Sequence, residues 1–196
     1  EEKFLAWGTL KLNQLIKNTE KNFANYRFDL IASNTYSFFW EHYCDWIIET
    51  AKIILQDPKV CESRKSKICH ELNCLFSDTL LILNPIMPFI TETLWTKHNT
   101  QLARNSFHEQ AFPTRTITAK QRQLADEYEY FRNFVVSVRK IRAQYSVKPS
   151  AKIAVVYSSS STKELEILKS EHEKIKQLTK LTVLDNRAVN PRGGNV

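Results

Sequence analysis

The sequence predicts a mainly α protein, an antiparallel helix bundle at residues 1–148 followed by a small α/β segment at 149–185. Apolar residues recur at helical spacing through long segments, and prolines or clusters of polar residues separate these segments. After Pro149 a short run rich in valine and isoleucine replaces the helical pattern, which indicates a strand. Residues 186–196 have too little apolar content to fold alone and are predicted to be a linker or a disordered end.

The first two predicted helices carry apolar stripes at helical spacing. Residues 3–24 are amphipathic, with Gly8 as a local weak point. A helix over about 29–56 follows, and its stripe consists of Ala32, Tyr36, Phe39, Tyr43, Ile47, Ala51 and Ile54. Trp40 and Trp46 lie beside this stripe and widen it, so we expect both indole rings to lie in the core.

Prolines set the ends of several further elements. Asp57-Pro58 ends the second helix, because proline cannot continue the hydrogen-bond ladder. The remaining predicted elements, in chain order, are a helix over 62–83, a short helix spanning Phe89–Trp95, an irregular segment over 99–118, a long helix over 119–146, a strand over 153–157, a charged helix over 162–178 and a strand over 181–184.

Composition excludes several classes of function. The chain has only 3 glycines, and none lies between residues 9 and 192, so P-loops and dinucleotide-binding folds are excluded. The chain also lacks a secretory start and an apolar run long enough to span a bilayer, so we expect no membrane partner. A formal net charge of +7 favours a polyanionic partner.

The cysteines indicate a reducing compartment, which we expect to be the cytoplasm, although an organellar parent is not excluded. They have no Cys-x-x-Cys spacing, so packed or reduced thiols are favoured over a metal site; the four residues are Cys44, Cys61, Cys69 and Cys74. No histidine has a nucleophile or carboxylate at a recognisable catalytic spacing, so we predict no catalytic residue.

Two charged patterns have alternative interpretations. Glu41, Asp45 and Glu49 recur every four residues and form an acidic ridge on one helix face. Arg139 and Arg142 are predicted to form structural ion pairs with part of this ridge. The alternative is that both arginines bind RNA phosphates. The basic run at 64–67 could likewise contact phosphate or form a solvated face.

Four blocks of the sequence resemble valyl-tRNA synthetases, in the family's order and spacing: Tyr26–Ala32, Phe39–Glu49, Leu83–Trp95 and Val138–Tyr145. The block containing Cys44-Asp45-Trp46 is characteristic of the valyl enzymes, while the proline block is shared with the class I synthetases for other branched aliphatic amino acids. In the family another helix precedes this region, so the resemblance implies a bundle without its first helix.

The resemblance implies the bundle type that class I synthetases use to bind the anticodon arm. The family activates valine with ATP and Mg and transfers it to tRNA in a Rossmann domain, whose His-Ile-Gly-His-like and Lys-Met-Ser-Lys-like signatures do not occur here. We therefore expect a binding segment with no catalysis and no cofactor of its own. Its expected partners are valine tRNA and the rest of the synthetase, and no DNA partner is expected.

Two alternatives to this function remain open. One is a helical protein–protein interaction module with no RNA role, and the other is the anticodon domain of an isoleucyl- or leucyl-tRNA synthetase. The candidate RNA-binding side chains are cationic or aromatic: Lys52, Arg64, Lys65, Arg139, Lys140, Arg142, Trp40 and Trp46.

Overall fold

The computed structural model describes residues 2–99, 107–148, 151–159 and 161–186. The chain divides into two compact units, Glu1–Ala125 and Asp126–Val196. The first unit contains α1 (Lys3–Ala24), α2 (Phe28–Ser37), a π-helical stretch (Phe38–Ile48), α3 (Glu49–Leu55), α4 (Glu62–Leu83), α5 (Pro88–Asn99) and a 3-10 turn (Phe107–Glu109). The helix α6 (Ala119–Gln144) crosses the division, and the second unit continues with β1 (Ile153–Tyr157), α7 (Thr162–Ser170), α8 (His172–Thr179) and β2 (Leu181–Asn186). The predicted mainly α fold is confirmed.

The second predicted helix is continuous, but its geometry changes in the middle. The helix α2 runs directly into the π-helical stretch and then into α3. Each π turn holds more residues than an α turn, so a stripe counted with α periodicity does not stay on one face. Trp46 is buried as predicted, but Trp40 is 56% exposed, and Tyr36, which precedes the π-helical stretch, is 66% exposed. The prediction that Trp40 lies in the core is therefore wrong.

The helix α1 packs closely against the π-helical stretch and α4 at Gly8. A methyl group on Gly8 would lie 2.6 Å from Ile47 Cδ1 and 3.2 Å from Leu75 Cδ1. Ile47 and Leu75 are fully buried, and so is Trp7, the residue before Gly8 on α1. Glycine therefore lets α1 approach the π-helical stretch and α4, and this packing explains a residue that helix propensity alone marks as a weak point.

A second apolar cluster lies where α4 and α5 meet. It contains Leu80, Trp95 and Phe107, all buried. The rings of Trp95 and Phe107 meet edge to face, with centroids 4.9 Å apart. The predicted irregular region thus contributes an aromatic anchor to the core, although residues 100–106 lie outside the described part of the chain.

The second unit contains a parallel two-stranded sheet. Residues Ile153 and Leu181 are paired at one end, and Tyr157 and Asn186 at the other. Parallel strands need a crossover connection, and α7 and α8 provide it. The predicted single helix over 162–178 is interrupted at Glu171, which lies between α7 and α8.

Most of α6 belongs to the second unit. Tyr130 donates a hydrogen bond to Glu164 in α7 at 3.0 Å, and the ring of Phe134 meets Tyr157 in β1 edge to face at 5.4 Å. Because these side chains join α6 to the strands and helices after it, the division falls within α6 and not at residue 148, where the sequence pattern changes. No described helix combines the length and the apolar composition needed to cross a bilayer.

Candidate nucleic-acid interface

A polar groove of about 680 Å³ lies in the first unit between the start of α1, the first half of α4 and the segment that leads into α6. We call it the α4 groove. Its lining residues are Glu2, Leu5, Thr9, Ser63, Arg64, Lys67, Ile68, Glu71, Thr114, Arg115, Thr116 and Gln121. Three cations, several hydroxyls and one amide face this groove, which is a donor set suited to phosphate and ribose oxygens.

Two of the three cations already have carboxylate partners. Arg64 Nε donates to Glu2 Oε1 at 2.6 Å, and the Arg64 side chain remains 49% exposed. Arg115 Nε donates to Asp78 Oδ2 at 2.7 Å. Burial is the largest single effect and lowers the pKa of Arg115, but the hydrogen bond to Asp78 and the attraction of nearby negative groups together outweigh burial, so the pKa is raised. Arg115 is thus a fixed charge, while Arg64 can exchange Glu2 for another anion.

Lys67 is the cation in this groove that sequence reasoning left out of the candidate set. It is exposed, and within the described part of the chain it forms no hydrogen bond or ion pair. Its position three residues after Arg64 puts both side chains on the same face of α4. That spacing is a signal that could have found Lys67. Arg115 gave no such signal, because its segment has no periodic pattern.

The start of α4 adds positive potential to the groove. Cys61 is the N-cap residue of this helix and has extended backbone geometry. The pKa of the Cys61 thiol is lowered, first by its hydrogen bond with Ser63 and then by the backbone amide of Arg64. A helix start that stabilises a thiolate also favours other anions, because its free amide groups carry partial positive charge.

The other predicted lysines lie outside this groove. Lys52 pairs with Glu49 at 2.5 Å, one turn away on α3, and both side chains are about half exposed. Lys65 pairs with Glu62 at 3.1 Å. Lys140 is exposed on α6. Within the first unit the structure therefore brings Arg64 to the groove but not Lys52 or Lys65, while Lys140 belongs to the second unit.

Arg142 is a buried structural side chain of the second unit. It is 7% exposed and donates hydrogen bonds to three backbone carbonyls, those of Ala151 at 2.7 Å, Lys148 at 2.8 Å and Thr179 at 3.2 Å. Arg139 is exposed and donates to the carbonyl of Leu178 at 3.2 Å. Both arginines thus cap the end of α8, where the helix carries partial negative charge.

The predicted pairing of these arginines with the acidic ridge stays a prediction, because the ridge belongs to the first unit and the arginines to the second. The partners found for Arg142 are carbonyls of its own unit. Glu41 and Asp45 are exposed, and Glu49 pairs with Lys52. The prediction assumed a partly buried ridge, whereas the three carboxylate side chains are exposed on the first unit, where water solvates them.

The two tryptophan candidates have different environments. Trp46 is only 6% exposed and has no face free for a base. Trp40 stacks on Tyr36 with ring centroids 6.5 Å apart and an interplanar angle of 9°. Both rings border an apolar groove of about 460 Å³ between α2, α4 and α5, none of whose lining residues is charged. We call it the apolar groove.

The described residues contain no group of three or more histidine, cysteine or acidic side chains that could hold a metal ion. The described cysteines Cys44, Cys61, Cys69 and Cys74 are free thiols. The Sγ atom of Cys74 lies 3.6 Å from Nε2 of His70 on the same face of α4, but no carboxylate orients this pair. The features that stand out are therefore binding surfaces.

Comparison with known proteins finds similar sequences among valine–tRNA ligases. The chain is 27% identical over 181 residues to the valine–tRNA ligase of Francisella tularensis subsp. tularensis. This match covers 91% of the chain and 20% of that ligase. It is 31% identical over 180 residues to the valine–tRNA ligase of Coxiella burnetii, with coverage of 91% and 20%. For the valine–tRNA ligase of Legionella pneumophila strain Lens the identity is 32% over 178 residues, with coverage of 89% and 19%.

These relatives confirm the resemblance to valyl-tRNA synthetases that the sequence blocks indicate. The chain spans about a fifth of the length of the curated relatives it matches. The sequence profile of the anticodon-binding domain of tRNA ligases matches residues 6–157, which include the whole of α6 and every lining residue of the α4 groove except Glu2 and Leu5. The chain therefore belongs to the family of anticodon-binding domains of tRNA ligases.

Proposed function

We propose that this chain binds the anticodon arm of a tRNA, and that this tRNA is valine tRNA. The observation that carries the proposal is the family match over residues 6–157, and the names of the similar ligases support the choice of valine. The full-length protein would activate valine with ATP and Mg and join it to this tRNA. The segment described here would hold the tRNA and contribute no cofactor and no reacting group. The free thiols support a reducing compartment, the cytoplasm.

The α4 groove supports this role through its charges. Lys67 offers an ammonium group to a phosphate without first losing a partner. Arg64 would exchange its exposed contact with Glu2 for a phosphate, which a guanidinium holds with two parallel hydrogen bonds. The hydroxyls of Thr114 and Thr116 line the opposite side of the groove and suit ribose or phosphate oxygens. Such contacts fix the position of an RNA backbone but do not select its sequence.

The test is the salt dependence of binding to valine tRNA, measured for the wild-type chain and for Lys67→Ala. Each phosphate contact releases about one counterion, so removing Lys67 should reduce the slope of log K against log salt by about 1. Lys17→Ala is the matched control, because Lys17 is an exposed lysine of α1 outside the α4 groove. An unchanged slope for Lys67→Ala, or an equal loss for Lys17→Ala, would contradict the role given to this groove.

The apolar groove is the observation that favours the alternative, a protein-interaction module. Tyr36 and Trp40 are exposed beside a groove without charged lining residues, and such a surface suits an apolar protein segment better than a phosphate backbone. A module of this kind would elute from heparin at low salt, because it has no phosphate-binding surface that releases counterions when it meets a polyanion. Retention that falls steeply with salt supports the tRNA proposal instead.

A further inference from the structure

A small polar cleft of about 170 Å³ lies between α1 and the junction of α2 with the π-helical stretch. We call it the amide cleft. Its α1 side carries Gln14 and Asn18, and its α2 side carries Asn34 and Ser37. On α1, Gln14 and Asn18 of the amide cleft follow Leu5 and Thr9 of the α4 groove by nine residues each. Nine residues make two and a half helical turns, so the two pairs lie on opposite faces of α1. The two surfaces are therefore separate.

The polar side chains of this cleft are available to a ligand. Gln14, Asn18, Asn34 and Ser37 make no side-chain hydrogen bond to any part of the chain that the structure describes. Gln14 and Asn18 are exposed, while Asn34 and Ser37 are partly buried. Three amides and a hydroxyl from two helices thus point several donors and several acceptors toward one small space.

The floor of the cleft is apolar. Leu15 is 4% exposed and Phe38 is 3% exposed, and both line the cleft. No carboxylate lines the cleft. At the edge of the cleft, the ammonium group of Lys11 lies 5.4 Å from the centre of the Trp7 ring. The cleft thus combines an apolar floor with a rim that both donates and accepts hydrogen bonds, and no carboxylate lines it. These features match a planar heterocycle with a polar edge.

We propose that the amide cleft binds one unstacked nucleobase of an RNA loop, which rests on Leu15 and Phe38 while Asn18 and Asn34 bond its polar edge. The inference rests on the proposed function and deepens it, since the α4 groove supplies phosphate contacts but no reading of bases. Unpaired loop bases expose their edges, and proteins read them with side-chain amides and apolar contacts. The small volume limits the cleft to a single base, so its effect belongs to one loop position.

The experiment uses the anticodon-arm hairpin of valine tRNA, intact and with each loop nucleotide replaced in turn by an abasic residue. The full 196-residue chain is titrated with each hairpin as wild type, Asn18→Ala and Asn34→Ala. In the wild type, one abasic position should weaken binding roughly 5- to 150-fold, the range for a base held by a good pair of amide hydrogen bonds. Each variant should bind the intact hairpin and the hairpin that is abasic at that position with almost equal affinity, because the variant has already lost its hydrogen bond to the base.

Asn73→Ala is the matched control, because Asn73 is an exposed amide on α4 outside both surfaces and should keep the full abasic effect. If an alanine variant fails to fold by circular dichroism, Asn18→Asp and Asn34→Asp test the same contact, since they keep the shape but lose the amide donors. A wild-type chain that binds the hairpin with steep salt dependence but without sensitivity to any abasic position overturns this inference alone. An abasic effect that persists in the Asn18 and Asn34 variants also overturns it. A wild-type chain that does not bind the hairpin at all overturns the proposed function as well.

Discussion

Replacing Arg142 with alanine should destabilise the second unit through the loss of hydrogen bonds to buried carbonyls. The guanidinium is 7% exposed and donates to the carbonyls of Ala151, Lys148 and Thr179 at 2.7, 2.8 and 3.2 Å. A hydrogen bond from a charged donor contributes about 1.5–3 kcal/mol. Water entering the vacated space would satisfy some of the carbonyls, so the expected total is about 2–4 kcal/mol and not the sum of three bonds.

Amide hydrogen exchange measures this loss where it occurs. All 4 tryptophans lie in the first unit, so tryptophan fluorescence does not report on β1 and β2 directly. A loss of 2–4 kcal/mol corresponds to protection factors in these strands that are lower by roughly 30- to 1000-fold. Arg139→Ala is the control, because Arg139 is exposed and should cost about 1 kcal/mol or less. The reasoning is refuted if Arg142→Ala keeps strand protection near wild type and instead reduces the salt slope of tRNA binding by about 1.

The remaining predictions concern the core, the pH range of stability and the chemistry. Trp46→Ala should cost about 3–5 kcal/mol in urea unfolding, while the exposed Trp40→Ala should cost about 0.5 kcal/mol or less. Gly8→Ala should cost about 1–3 kcal/mol, because the added methyl meets Ile47 Cδ1 at 2.6 Å, and Ile47→Val in the same chain should recover part of that loss. Burial, followed by a hydrogen bond to a carboxylate, raises the pKa of Tyr130 from 10.0 to about 12, so its contribution to stability should be complete below pH 10 and disappear as the pH rises to about 12. Alkaline unfolding of Tyr130→Phe should lack this component. Finally, this chain should catalyse no valine-dependent exchange of pyrophosphate into ATP, and exchange above that of a denatured sample would contradict the assignment of the segment to binding alone.

The helices were predictable because each has a local cause. The bounds Glu62–Leu83 of α4 match the prediction, since Pro58 and Pro85 isolate a segment with one apolar stripe. The strand Ile153–Tyr157 was predictable for a similar reason, since valine and isoleucine are concentrated between polar turns. The parallel pairing of this strand with β2 was not predicted, because pairing depends on contacts between residues far apart in the chain.

The sequence was least informative where geometry departed from the α pattern and where side chains bind backbone groups, which a side-chain inventory does not include. The outward position of Trp40 depends on the π-helical stretch, and the hydrogen bonds of that stretch leave no simple signature in residue types. Arg142 donates to backbone carbonyls, which every sequence contains, so residue types alone do not reveal these contacts.

The candidate site was predictable in part. Arg64 belongs to a basic run that stands out in the sequence, and it lines the α4 groove. Arg115 joins that groove from an irregular segment and is held by Asp78, which is 37 residues away in the chain. The amide cleft combines residues of two helices, and asparagine and glutamine are so common on helix surfaces that no spacing singled them out.

The most direct test of the account compares the binding of this chain to two hairpins, the anticodon arm and the acceptor arm of valine tRNA. We expect the anticodon-arm hairpin to bind nearly as tightly as the whole tRNA and with a similar salt slope, because the contacts are made to that arm alone. The acceptor-arm hairpin should bind only as weakly as an unrelated RNA hairpin. Equal affinity for the two hairpins, or preference for the acceptor arm, would contradict the central claim.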